Sequence, residues 1–444
     1  MSHNEMLRTE SIGKLLMRFS FPAIVGMVVN ALYNIVDRIY IGWIGPLAMT
    51  GIGLSLPLMT LMMGFGMLVG IGAGSRISIR LGQDRHEDAE KILGNAFTLL
   101  FIIMGIVMVL GLTFKTPLLY LFGASEATFD YANDYLTIIL CGSIFQGLGF
   151  GMTGVIRSEG HPKIAMFTTL AAAITNIILD PIFIFLFKMG ISGAALATII
   201  AQFLSMSIVI YHFTKGKSRL KLHRRNLKLN FSIVLSIISI GMSPFFMQVA
   251  ASVVTVISNN ALKTTGGDIA ISAMTVIQSI AIFFLMPIFG INQGTQPVVG
   301  FNYGAKEYKR VKKALIMATT AGVAIATTGF LLTQLFTEPL IRIFNSDPEL
   351  IRVATKGMKT FLIMLPLVGF QIISANYFQA VGKAPKAIFL SLLRQVLVLI
   401  PLLLILPKYF GLDGVWYAGP TADLIASILT GIFIFNEMRH LEES

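Results

Sequence analysis

Apolar runs of twenty or more residues recur along the whole chain, separated by short polar or charged breaks. Roughly 20 apolar residues are enough to cross the hydrocarbon core of a bilayer as an α-helix. Twelve such spans can be drawn: 15–41, 51–75, 93–114, 131–155, 164–187, 193–213, 232–258, 269–296, 314–336, 354–380, 386–406 and 415–435. A helix satisfies its own backbone hydrogen bonds, which lipid cannot do for it. The pattern therefore predicts an all-α integral membrane protein with twelve transmembrane helices.

The breaks differ in charge. Those after even-numbered spans hold Arg80, Arg85 and Lys91; Arg157 and Lys163; Lys215 through Arg224, Arg225 and Lys228; Lys306 through Lys313; and Lys383 and Lys386. Those after odd-numbered spans are short and carry single bases such as Lys115, Lys188, Lys263 and Lys408, with one mixed-charge break around Arg342. Basic loops remain in the cytoplasm, so both termini are expected there. The polar start MSHNEMLRTES leads directly into a run long enough to span, which reads as no cleavable signal peptide.

An internal repeat divides the chain. Gly70-Ile-Gly-Ala-Gly74-Ser75 is answered by Gly290-Ile-Asn-Gln-Gly294-Thr295, Gly160-His-Pro162-Lys163 by Gly382-Lys-Ala-Pro385-Lys386, and Gly190-Ile-Ser-Gly193 by Gly411-Leu-Asp-Gly414. Phe21-Pro22 matches Ser243-Pro244. The pairs stand about 220 residues apart and in order, the mark of a duplication. The expected parts are an N-terminal six-helix bundle at 1–214, a basic cytoplasmic linker at 215–230, and a C-terminal six-helix bundle at 231–444. The linker reads as a solvated connection; a headgroup-binding patch is the alternative. Each half holds an even number of spans, so both start on the same side and form parallel repeats about an axis along the membrane normal, a transporter architecture.

Composition agrees: 55% of the 444 residues are hydrophobic and 13% charged, against roughly 25% charged in a soluble domain. Mean hydropathy is +0.78. The net charge of +12 would suggest nucleic acid in a soluble protein, but here the cytoplasmic loops account for it and no nucleic-acid partner is expected. The 23 Met and 33 Phe suit ordinary lipid-facing packing or an adaptable apolar cavity. Cys141 is the only cysteine, which leaves no disulfide framework and no thiolate metal cluster.

An acid inside a span costs roughly 2.5–3.5 kcal/mol on insertion scales, so Asp37, Asp180 and Asp423 need a reason. In span 1, Asn30, Tyr33, Asn34 and Asp37 fall at i, i+3, i+4 and i+7, one helix face. In span 5, Asn176 and Asp180 are i, i+4 neighbours, and Pro181 loosens the next turn. Thr198 follows Gly193 at the start of span 6. Counted from the span ends, Asp37, Asp180 and Thr198 sit roughly 8–12 Å below the outer surface. Two carboxylates, an amide and a hydroxyl at one depth suit a hard monovalent cation or a proton shared between the carboxylates. Singly, each has a plainer reading: Asp37 paired with Arg38, Asp180 at a helix bend, Asn176 and Thr198 as interhelical hydrogen-bonding groups. By the repeat, Asp180 falls near Ile400 and Asp37 near Asn259, so the carboxylate pair belongs to the first half alone. Arg394 and Asp423 are expected to pair structurally between spans 11 and 12.

Pro22…Ala31-Leu-Tyr33-Asn34-Ile-Val-Asp37…Gly42, Asn176-Ile-Ile-Leu-Asp180-Pro181 and Gly193-Ala-Ala-Leu-Ala-Thr198 together resemble the multidrug and toxic compound extrusion (MATE) family of bacterial exporters, and the likeness covers nearly the whole chain. The resemblance implies a V-shaped pair of bundles alternating between outward- and inward-open states. It implies antiport in the bacterial plasma (inner) membrane, exporting cationic amphipathic drugs against Na⁺ or H⁺, with no cofactor beyond that ion. The residues themselves show no His-rich metal set, no Ser-His-Asp grouping and no Walker loop, the six His being scattered in loops and termini, so no enzymatic activity is expected. The resemblance places the coupling cation, Na⁺ included, at Asp37, Asn176, Asp180 and Thr198, with Tyr33, Asn34 and Tyr135 as neighbours. Some branches carry acidic coupling residues in the C-terminal half; spans 7 and 8 here have none at the corresponding levels. Membrane lipid and small-molecule substrates are the expected partners, and a monomer the expected state. The alternative, a flippase for a lipid-linked precursor, would need several buried bases in the first half, where only Arg38 and Arg76 stand, both near span ends.

Overall fold

A computed structural model describes residues 3–122, 124–216, 218–344 and 347–443, and among them it contains helices and no strand. Ten helices are long and apolar enough to cross a membrane, and two bent pairs bring the number to twelve. Each predicted span has its counterpart. Several run further: the apolar run of span 3 covers 93–114 in the sequence, yet the helix is His86–Leu121 in the structure. Its polar first turn carries Glu87 and Asp88, acids that complement the positive N-terminal end of the helix dipole and let it continue beyond the apolar stretch.

Two spans read as unbroken are bent. Span 4 consists of Glu126–Cys141 and Ser143–Ser158 at 56°, and span 10 of Pro348–Phe361 and Leu365–Ala380 at 51°. At the first bend a Cβ on Gly142 would stand 2.1 Å from Ile199 Cγ2, so only glycine allows this approach to span 6. At the second, Pro366 opens the new helix, where its missing N–H costs nothing. Spans 5 and 11 each carry a π turn, at Ile182–Leu186 and Leu393–Leu399. Spans 7 and 8 follow each other with a break at Gly267, whose φ of 67° and ψ of −163° end one helix before the next begins.

Packing groups the chain into two compact units, Val25–Phe245 and Met1–Ile24 with Phe246–Ser444. The repeat and the packing thus divide the chain differently, because spans 1 and 7 each change unit partway along. In the unit holding Met1–Ile24, the Arg310 guanidinium donates to the carbonyls of Leu7 and Glu10 at 2.9 and 2.7 Å, tying down the end of the short helix His3–Thr9. Its apolar core gathers Ile277, Met358, Val415 and Trp416. In the Val25–Phe245 unit, the start of span 7 lies against span 2, where Arg76 Nε donates to the Ser236 carbonyl at 3.4 Å. That unit's core gathers Ile41, Met62, Leu136, Tyr135, Ile184 and Ala194.

The segment 215–230 is not the solvated connection its sequence suggests. Ser218, Leu220 and Asn226 are buried, while Arg224, Arg225 and Lys228 are exposed. Asn95 of span 3 accepts from the Asn230 amide at 2.7 Å, and Thr98 donates to the Leu227 carbonyl at 2.8 Å. The basic side chains reach outward, but their backbone is pinned to the bundle.

Candidate functional site

Span 5 brings Asn176 and Asp180 to one face through the i, i+4 spacing, and both are buried. The helix ends at Pro181, and the π turn that follows is closed by Phe187 N–H donating to Ile182 O at 2.9 Å. Span 6 starts hard against this turn: a Cβ on Gly193 would lie 2.8 Å from the Phe183 carbonyl carbon. That close approach, which glycine permits, carries Thr198 to Asn176. Asn176 Nδ2 donates to Asp180 Oδ1 and to Thr198 Oγ1, both at 3.3 Å, and the Thr198 hydroxyl donates to Ala194 O at 3.0 Å.

Span 1 supplies the second acid. The Asp37 carboxyl lies close enough to Asp180 for their charges to interact, and Tyr33, one turn earlier, is near enough to feel both. Two ionised carboxylates have no hydrogen to share. Asp180 Oδ2 and Asn176 Oδ1 are buried and accept no hydrogen bond from the protein. Such acceptors normally cost about 1–3 kcal/mol each when left unmet. A proton on one carboxyl would bridge the pair. A hard cation would instead find two carboxylates, an amide oxygen and a hydroxyl, all oxygen donors, which is the donor set such an ion prefers.

The structure therefore brings together Asp37, Asn176, Asp180, Thr198 and Tyr33. Asn34 is exposed, and its amide donates back to the Asn30 carbonyl at 2.6 Å. Tyr135 is buried in the apolar cluster of its unit, beside Leu136 and Ile139. The Arg38 side chain, the alternative partner for Asp37, lies outside the described residues. In the second half, Arg394 Nε pairs with Asp423 Oδ1 as expected. Missed in the sequence is a cluster at the far end of spans 4 and 6, where Glu159, His161 and His212 converge. The histidines read there as scattered loop residues, because 161 and 212 meet only once spans 4 and 6 are packed.

Six spans in each repeat half and polar groups buried at span depth define a multi-pass membrane transporter. A family model described as MatE matches residues 22–182 and 244–405. The chain belongs to that family, whose members are transporters and not enzymes. It is 28% identical over 429 residues to the multidrug export protein MepA of Staphylococcus haemolyticus (strain JCSC1435), covering 96% of this chain and 94% of that protein. Against MepA of Staphylococcus aureus (strain MRSA252) the identity is 28% over 432 residues, with 95% and 93% covered. Among solved structures, the MATE multidrug transporter DinF-BH, determined in complex with a ligand, is 40% identical with a TM-score of 0.90, 96% of each chain being covered. A MOP superfamily transporter from Pyrococcus furiosus is 24% identical with a TM-score of 0.94, covering 100% of this chain and 99% of that one, a likeness of fold.

Proposed function

We propose that the protein is a cation-coupled antiporter that exports cationic amphipathic compounds, working as a monomer in the bacterial plasma membrane with its basic loops and both termini in the cytoplasm. One observation carries the reading: two carboxylates face each other inside one unit, next to an amide and a hydroxyl, with buried acceptor oxygens left unmet. Such a site gains from binding one positive charge, whether H⁺ or Na⁺.

A proton or Na⁺ arriving from outside neutralises part of the Asp37–Asp180 repulsion. Span 1 then settles into a different arrangement, with Pro22 as its weak point, since proline removes one helical hydrogen bond. That rearrangement lowers the affinity for a bound cationic drug and releases it outward. Loss of the ion to the inside restores the charge and the affinity. The two ligands are thus exclusive because the ion favours the arrangement in which the drug binds weakly, and each shifts the equilibrium only by its difference in affinity for the two states. Export of drugs is consistent with the likeness to DinF-BH, itself a multidrug transporter of this family.

The test is ethidium uptake into everted membrane vesicles, where export from the cytoplasmic face fills the lumen, with Na⁺ and pH gradients imposed separately. One gradient alone is expected to drive export. Export that persists undiminished with both gradients collapsed would sink the antiport scheme.

A further inference from the structure

At the end of the first half's bundle, away from the carboxylate pair, three potential metal ligands converge. Glu159 follows the last turn of span 4, and His161 comes two residues later in the turn that begins span 5. His212 stands in the last turn of span 6. His212 Nε2 is 3.0 Å from Glu159 Oε2, and His161 Nδ1 is 3.8 Å from the same oxygen. The three donor atoms lie within 4.8 Å of one another. The Glu159 and His212 side chains are 2% and 3% exposed, and His161 is 21% exposed.

The glutamate is held on its other side. Glu159 Oε1 accepts from the Ser218 hydroxyl and from the backbone N–H groups of Arg219, at 2.8 Å, and Leu220, at 3.3 Å. That arrangement fixes one carboxylate oxygen and turns the other toward both imidazoles, as outer-shell hydrogen bonds do for a metal-binding carboxylate. The imidazole rings meet edge to face, crossing at 68° with centroids 5.2 Å apart. Donors about 2.1 Å from a tetrahedral ion stand roughly 3.4 Å apart, a spacing that 3.0 and 3.8 Å straddle.

We propose that Glu159, His161 and His212 form a site for a divalent transition metal of the Zn²⁺ or Co²⁺ type, with a fourth position open to water. Two imidazoles and a carboxylate without thiolate favour this class over Cu⁺ or Mg²⁺. The exposed Arg219 is a cation acting on His161; its charge opposes the metal and the Glu159 charge offsets it. The bound ion staples the turn 159–161, span 6 and the segment 218–220 to one another.

The test titrates Co²⁺ into the purified full-length protein without a polyhistidine tag, reading the visible d–d absorption and the metal per chain. Wild type should take up one Co²⁺ with a tetrahedral-type spectrum and show a raised thermal midpoint. His161→Ala and His212→Ala should each abolish both effects, Ser218→Ala should weaken binding by about tenfold, and His223→Ala should change nothing. Because His161 is partly exposed and leaves the Glu159–His212 contact intact, its variant tests the ligand set without dismantling the bundle. Absence of saturable binding in wild type, or binding that survives His161→Ala, overturns the assignment.

Discussion

Spans 5 and 6 of the first half and spans 11 and 12 of the second descend from one pattern, yet they treat buried charge in opposite ways. Pro181 corresponds to Pro401, and both spans carry a π turn beside that proline. At the residue before it, the first half has Asp180 and the second has Ile400. The second half's acid, Asp423, lies on its last span and is met by Arg394. The first half's acids meet each other and neutral polar groups. A duplicated scaffold thus keeps a compensated ion pair on one side and an uncompensated one on the other. Only the second kind changes its energy when a small cation comes or goes, and this is the difference between a staple and a binding site.

Five substitutions, two of them used together, break or sharpen the contrast. The largest effect belongs to Asp180→Asn, which removes the negative charge with little change of shape; gradient-driven ethidium efflux should vanish while membrane levels stay normal on immunoblots. Next, Arg394→Met strands Asp423 in a dry setting and should cost about 3–5 kcal/mol, whereas Arg394→Met combined with Asp423→Leu should recover most of it. Thermal unfolding in detergent reads both, and a double variant as unstable as the single one would mean that the pair is more than a staple. Ile400→Asp gives the second half an acid where the first has one. Without the amide and hydroxyl of the first site it should destabilise by about 2.5–3.5 kcal/mol and leave the ion dependence of efflux unaltered. Thr198→Val is the mildest: losing one membrane hydrogen-bonding group is worth about 0.6 kcal/mol, so the ion concentration for half-maximal efflux should rise about threefold.

The twelve spans, the repeat and the residues that gather at the carboxylate pair were legible because each rests on a local rule. Hydropathy has a fixed window, i and i+4 share a face, and an acid in an apolar run stands out. Thr198 was within reach because Gly193 marks the start of its span, so depth could be counted. What local rules do not contain is how helices cross. The bend at Gly142 depends on Ile199, two spans further along the chain. Glu159 looks like an ordinary polar residue at a span end until His212 and the segment 218–220 fold over it. Asn34 shares the sequence face of Asp37 yet is exposed, because one turn of helix is wide enough for neighbours to look different ways. The 215–230 segment misled for the same reason: its charges advertise solvent, and the buried Leu220 and Asn226 between them do not.

The change of unit within spans 1 and 7 has a consequence for anyone who would split this protein. Cutting in the basic segment separates the two sequence repeats, but each fragment would leave with a helix end whose packing partners are on the other piece: residues 12–24 on the first, 231–245 on the second. Neither fragment should therefore mature alone, and co-production of both should rescue what each lacks. The duplication that built the chain joined two copies, and exchange of their leading helices has since made them inseparable.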